Sequence, residues 1–140
     1  MNKKEIQEER VRRYFIDATK AIIKGEGIRG VSVRSVADHA GYSFATIYNY
    51  FRDVNILLFE CIQDFQQECQ EFTAETTEVS DCRSRLKARV KAYVRYFTEY
   101  PGVFELFYTA RAGDLGNKES TLDIIERSLD SVCNNDWEEC

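Results

Sequence analysis

Apolar residues recur at intervals of three and four along almost the whole chain, and no stretch alternates with the period of two that a half-buried strand needs. Val11, Phe15, Ala18 and Ile22 step along one face of a first helix. Val54, Leu58, Cys61, Phe65, Cys69 and Phe72 do the same further on, and Leu86, Val90, Tyr93, Phe97 and Tyr100 again after that. The single proline among 140 residues, Pro101, falls between two such segments. Hairpin turns bounded by β-branched runs are missing. The fold expected is therefore all-α: a three-helix N-terminal head followed by an antiparallel helical bundle.

Breaks in the periodicity divide the chain. Gly25 and Gly27 end the first helix, and Ser32 caps a short second one that carries Val36, Ala37 and Ala40. Gly41 breaks it, and Ser43 caps a third helix from Phe44 to about Phe51. Asp53 opens a long fourth helix, and Ser80 or Asp81 opens a fifth that Pro101-Gly102 stops. A short helix from Val103 to about Ala112, a loop over 113–117 and an amphipathic helix with Leu122, Ile125, Leu129 and Val132 complete the reading.

The net charge of −5 hides an asymmetry: residues 1–52 carry +4 and residues 53–140 carry −9. A basic front on an acidic body suits a protein that presents one end to a polyanion. No run approaches eighteen apolar residues, and the N-terminus lacks the apolar centre of a signal peptide, so a cytoplasmic protein without a membrane span is expected. The chain shows no phosphate loop, no GxSxG, no HExxH, and one histidine, His39, to serve as a base. An enzyme is not expected, nor a cofactor. Five cysteines without a CxxC pair read as thiols rather than a zinc site or a disulfide framework.

Residues 32–51, SVRSVADHAGYSFATIYNYF, hold the functional signal. Two short helices joined at a glycine make a helix-turn-helix, whose second helix fits a DNA major groove about 12 Å wide. Val36, Ala37, Ala40 and Ile47 would hold the pair against helix 1. Phe44, Ala45, Thr46, Tyr48, Asn49 and Tyr50 are left for the outer face or its edges. A helical hairpin that merely packs would share this pattern.

The segment GIRGVSVRSVADHAGYSFATIYNYFRDVNILL, Gly27 to Leu58, resembles the TetR family of bacterial transcriptional repressors. Gly41, Ser43, Thr46, Tyr48 and Phe51 fall at that family's intervals, and the resemblance covers residues 5 to about 60. It implies a DNA-binding domain over residues 1–52 and a ligand-sensing, dimerising domain over 53–140. It further implies a homodimer on a palindromic double-stranded DNA operator. The resemblance places Arg34 against a guanine edge and Phe44 and Ala45 at base-reading positions of helix 3. Asn49 would serve an adenine or a phosphate. Ser32, Ser43, Thr46, Tyr48 and Tyr50 would anchor phosphates, which set register rather than sequence. Val54 departs from the pattern, standing where the family usually carries a lysine; Ala45 replaces a frequent glycine or proline.

The family hollows its helical body to bind an inducer, and Cys61, Phe65, Tyr93, Phe97, Phe104 and Tyr108 are the expected lining for a small apolar or aromatic ligand. The cations of helix 5 are expected either to face the six acidic residues of helix 4 (Glu60, Asp64, Glu68, Glu71, Glu75 and Glu78) or to be solvated. A helical protein-interaction adaptor, or a thiol-sensing regulator without an inducer, is the alternative reading; Cys82 and Cys140 would be its sensors. Family members run some fifty residues further, so the last helix is expected to be incomplete as a dimer interface.

Overall fold

A first helix, α1 (Lys3–Glu26), is launched by a reciprocal cap. The Asn2 carboxamide accepts from the Glu5 amide at 2.9 Å, and the Glu5 carboxylate accepts from the Asn2 amide at 2.9 Å. The computed structural model describes residues 1–74, 81–109, 126–127 and 130 of the chain. All elements among these residues are helical: α2 (Val33–Ala40), α3 (Phe44–Ile47), α4 (Val54–Ala74), α5 (Cys82–Glu99) and α6 (Pro101–Phe104). A 3-10 turn, Ile28–Gly30, precedes α2, and a π-helical turn, Glu105–Thr109, prolongs α6. The all-α reading holds.

The core runs along α1 from Val11 to Ile23. Val11, Phe15, Ile16, Ile22 and Ile23 pack with Val36 and Ala37 of α2, Ile47 of α3 and Leu57, Cys61, Ile62 and Phe65 of α4. Gly41 closes α2 with φ +79°, a left-handed conformation that costs glycine little. That reversal brings the Tyr42 amide to the Ala37 carbonyl at 3.0 Å and returns its ring to Phe15, 5.3 Å away. At the far end α6 meets α1 backbone to backbone. A Cβ on Gly102 would lie 2.1 Å from the Ile23 carbonyl oxygen, so only glycine fits there.

Several expectations need correction. Helix 3 is one turn, not the two expected to Phe51. After Ile47 the bonds shorten: the Asn49 amide reaches Thr46 and the Tyr50 amide reaches Ile47. Tyr48, Asn49 and Tyr50 are weak helix formers, and Asp53 at once begins a new cap, accepting from the Asn55 amide at 2.7 Å. The buried face of α5 is Ala92, Tyr96 and Phe97, while Val90 is 47% exposed. The face turns because the Tyr96 hydroxyl donates to Glu68 at 2.8 Å and its ring packs on Phe72. Pro101 starts α6 instead of merely ending α5, as proline's missing N–H allows at a first helical position. The loop over 113–117 and most of the last amphipathic segment, Leu122, Ile125, Leu129 and Val132 included, lie outside the described residues, as does Cys140.

Three residues of the acidic stripe of α4, Glu60, Asp64 and Glu68, have a different partner. Their ion pairs run to α1: Arg12 with Glu60, Arg13 and Lys20 with Asp64, and Lys24 with Glu68 at 2.6 Å. The cations of helix 1 are close neighbours of α4 because the two helices share a core. Glu75 and Glu78 lie outside the described residues. Much of the positive front counted in the sequence is thus matched internally.

Candidate nucleic-acid interface

The tip of the molecule is built by α2 and α3. Ser32 opens α2 with a capping box: its hydroxyl accepts from the Ser35 amide at 3.0 Å, and the Ser35 hydroxyl accepts from the Ser32 amide at 2.9 Å. Ser35 also donates to the Gly30 carbonyl at 2.7 Å, tying the cap to the preceding turn. One turn in, Val36 and Ala37 are buried, which leaves Arg34 exposed on the opposite side together with Asp38 and His39.

Ser43 precedes α3 in an extended conformation and pairs its hydroxyl with that of Thr46 at 2.8 Å. Ile47 is buried beneath, so Phe44, Ala45, Tyr48 and Asn49 face outward. Phe44 and Tyr48 are each 56% exposed, a large apolar surface for a helix of one turn. Tyr50 differs from its expected role: its ring packs on Phe15 at 5.8 Å and it is half-buried. Ser32, Arg34, Ser43, Phe44, Ala45, Tyr48 and Asn49 are therefore exposed on the helix-turn-helix, and Thr46 and Tyr50 are half-buried.

Arg12 was not singled out in the sequence, where it is one of many α1 cations. Its guanidinium donates to the Tyr50 carbonyl at 3.1 Å and lies 4.5 Å from the centre of the Phe51 ring. Only the fold reveals this contact, because 38 residues separate the partners. Val54, the first residue of α4, is half-buried.

Of the six candidate ligand residues, four come together. Phe97 is the hub: Tyr93, Phe104 and Tyr108 lie 4.8, 5.6 and 5.9 Å away, ring centre to ring centre, edge to face. Phe107, buried, joins them at 5.8 Å. The Tyr93 and Tyr108 hydroxyls are hydrogen-bonded to each other. The described contacts of Cys61 and Phe65 run instead to α1: the Cys61 thiol donates to the Ile16 carbonyl, and Lys20 lies over the Phe65 ring. Burial pushes the Cys61 and Cys69 thiols up to about 12, so neither supplies a thiolate near neutral pH. Cys82 is disulfide-bonded, contrary to the expectation of thiols throughout.

A helix-turn-helix with a buried inner face and an exposed outer one has the form of a DNA-binding module. Residues 15–61 match the family model of the bacterial regulatory proteins, tetR family. The fold is similar to that of a TetR family transcription regulator from Marinobacter aquaeolei VT8, with 22% identity and a TM-score of 0.62 over 91% of this chain and 69% of that one. It is also similar to the TetR family transcriptional regulator PfmR from Thermus thermophilus, with 22% identity and a TM-score of 0.54 over 91% of this chain and 70% of that one. No curated protein matches the chain. The family match covers the helix-turn-helix with parts of α1 and α4, and the likeness to the two solved regulators is one of fold. No helix among the described residues is long and apolar enough to cross a membrane.

Proposed function

We propose that the chain is a dimeric repressor whose head, residues 1–52, reads a palindromic operator, and whose body, residues 53–140, releases it when a small apolar or aromatic ligand binds. The observation that carries the reading is the exposed tip: Arg34, Phe44, Ala45, Tyr48 and Asn49 project from two short helices over a closed core. Arg34 offers the forked donor that suits a guanine edge. Phe44 has no polar atom and suits a thymine methyl or the sugar wall. Ser32, Ser43, Thr46 and Tyr48 supply hydroxyls for phosphates, and Asn49 an amide for adenine or phosphate.

The ligand side of the proposal rests on the aromatic cluster around Phe97. Phe104 and Tyr108 remain 45% and 36% exposed, so a flat apolar compound has ring surface to stack on at the cluster's edge. A change of helix packing in the body then reaches the head through α4. Paired heads must match half-sites about 34–36 Å apart or a multiple of it, so a small change in α4 weakens binding.

Selection from a pool of random-sequence duplexes tests the DNA reading. The full chain is expected to enrich a palindromic sequence; a pool that stays random after several rounds would refute it.

A further inference from the structure

Helix α3 cannot hold itself. It has four residues, too few for a helix to persist without outside support, and it passes at once into the turn that presents Tyr48 and Asn49. The carbonyls at such an end lack helical donors. Among the described residues, a side-chain donor from α1 reaches the turn just beyond this end. Arg12 donates Nη1–H to the Tyr50 carbonyl at 3.1 Å and covers the face of Phe51 at 4.5 Å, and its Nη2 is paired with the Glu60 carboxylate of α4. The Arg12 and Glu60 side chains are 28% and 27% exposed, so the pair is sheltered from solvent on most sides.

We infer that Arg12 is a positioning residue for DNA reading: it fixes the end of α3, and Glu60 makes that fixation depend on the place of α4. The inference rests on the DNA reading proposed above. A guanidinium is planar and carries five donors, so one group can hold a carbonyl, a ring face and a carboxylate at once. A lysine ammonium keeps the charge but cannot reproduce that fork and plane. If α4 shifts and withdraws Glu60, Arg12 loses the carboxylate that orients it, and the turn at Tyr48–Tyr50 loses its outside donor. The consequence falls on sequence discrimination more than on overall affinity, because the charge beside the DNA changes little.

A competing role is direct. Arg12 borders an open groove of about 710 Å3 with Asn49, Tyr50 and the acidic residues Glu5, Glu8 and Glu9. From there it could touch a phosphate, and the experiment separates the two roles.

The full-length wild-type, Arg12→Lys and Glu60→Gln proteins are compared on two probes: the duplex that wild-type protein enriches from a random pool, and a scrambled duplex of the same composition. Amide hydrogen exchange without DNA is measured over residues 44–52 and, as an internal reference, over α2. The ratio of affinities for enriched over scrambled duplex is expected to fall about tenfold in Arg12→Lys, roughly the discrimination carried by one base contact. Glu60→Gln should lower it several-fold, with an unchanged salt slope and faster exchange at 49–51 in both variants but not in α2. An unchanged ratio with unchanged exchange would overturn the inference. So would a salt slope steeper by about 0.9, the gain of one phosphate contact, in Glu60→Gln, whose Arg12 is intact but freed. Failure of the wild-type protein to enrich any duplex would sink the DNA reading and this use of it together, while the exchange arm still reports whether Arg12 fixes the turn.

Discussion

The tip of the head and the joint behind it are built with opposite chemistry. At the tip, α2 and α3 expose two large aromatic rings, several hydroxyls and one amide, with Arg34 the one cation among the proposed reading residues. At the joint, Arg12, Arg13, Lys20 and Lys24 of α1 meet Glu60, Asp64 and Glu68 of α4 in a row of ion pairs beside a closed apolar core. The tip's rings and Arg34 are exposed to a partner, whereas the joint's charges are matched to one another. The difference teaches that charge counted along a sequence does not say where charge is offered. The +4 of the first 52 residues reads as a surface for a polyanion, yet four of its ten cations bind α4. It also makes α4 an extension of the head as much as a link to the body.

Substitutions at the joint should therefore cost stability, and substitutions at the tip should cost binding. The largest loss is expected from Gly102→Ala. Its Cβ would meet the Ile23 carbonyl oxygen at 2.1 Å and the Gly27 Cα at 3.0 Å, backbone atoms that cannot rotate away. Overpacking of this kind costs about 3 kcal/mol, visible as a lowered melting temperature. A variant that melts like the wild type would mean that α6 and α1 can separate without cost.

Asp64→Asn comes next. Asp64 accepts from both Arg13 and Lys20, is 23% exposed, and its hydrogen bond is the main cause of Arg13's raised pKa. Loss of the carboxylate charge should cost about 1–2 kcal/mol in chemical unfolding, in the range for hydrogen bonds to charged groups. Binding to the enriched duplex should change little in comparison. A large binding defect with normal stability would place Asp64 in the reading machinery and blur the distinction between tip and joint.

The smallest effect is set by pH. Burial alone would raise the pKa of Glu68, but hydrogen bonds from Lys24 and Tyr96 outweigh it, and the pKa lies below its ordinary 4.5. A carboxylate with a depressed folded pKa stabilises the fold above its unfolded value and ceases to do so as pH falls through the folded one. Melting temperature should thus decline as pH is taken below about 4.5, and Glu68→Gln should flatten that part of the curve. An identical slope in the variant would assign the acid lability to other groups.

Local signals in the sequence were readable where a residue acts on its own neighbours. Ser32 and Asp81 cap the helices they precede, Gly41 takes the left-handed turn, and Asp53 starts α4. Buried positions on α1 and most of those on α4 follow the apolar spacing. The reading ran out where a choice depends on what lies across the fold. Both α1 and α5 carry cations at helical spacing, and nothing in the chain says which of them Glu60, Asp64 and Glu68 will pair with. The support of the turn after α3 was missed because Arg12 lies 38 residues earlier in the chain. Phe104 and Tyr108 lie beside Phe97 and Tyr93 because a single turn brings α6 back on α5. Cys61 and Phe65 shared the apolar stripe of helix 4, but their described contacts point to the other side, toward α1.

The central claim is that the exposed tip reads base sequence, and Arg34→Ala tests it most directly. Arg34 is exposed, has no described contact in the joint, and sits one residue into α2 from Val33. Affinities of wild type and variant are measured on the enriched and the scrambled duplex at one fixed salt concentration. Loss of a forked arginine contact should weaken the enriched duplex by about 1–3 kcal/mol and the scrambled one far less, with melting unchanged. Equal losses on both duplexes would make Arg34 a phosphate anchor, and no loss on either would contradict the claim that this face reads DNA.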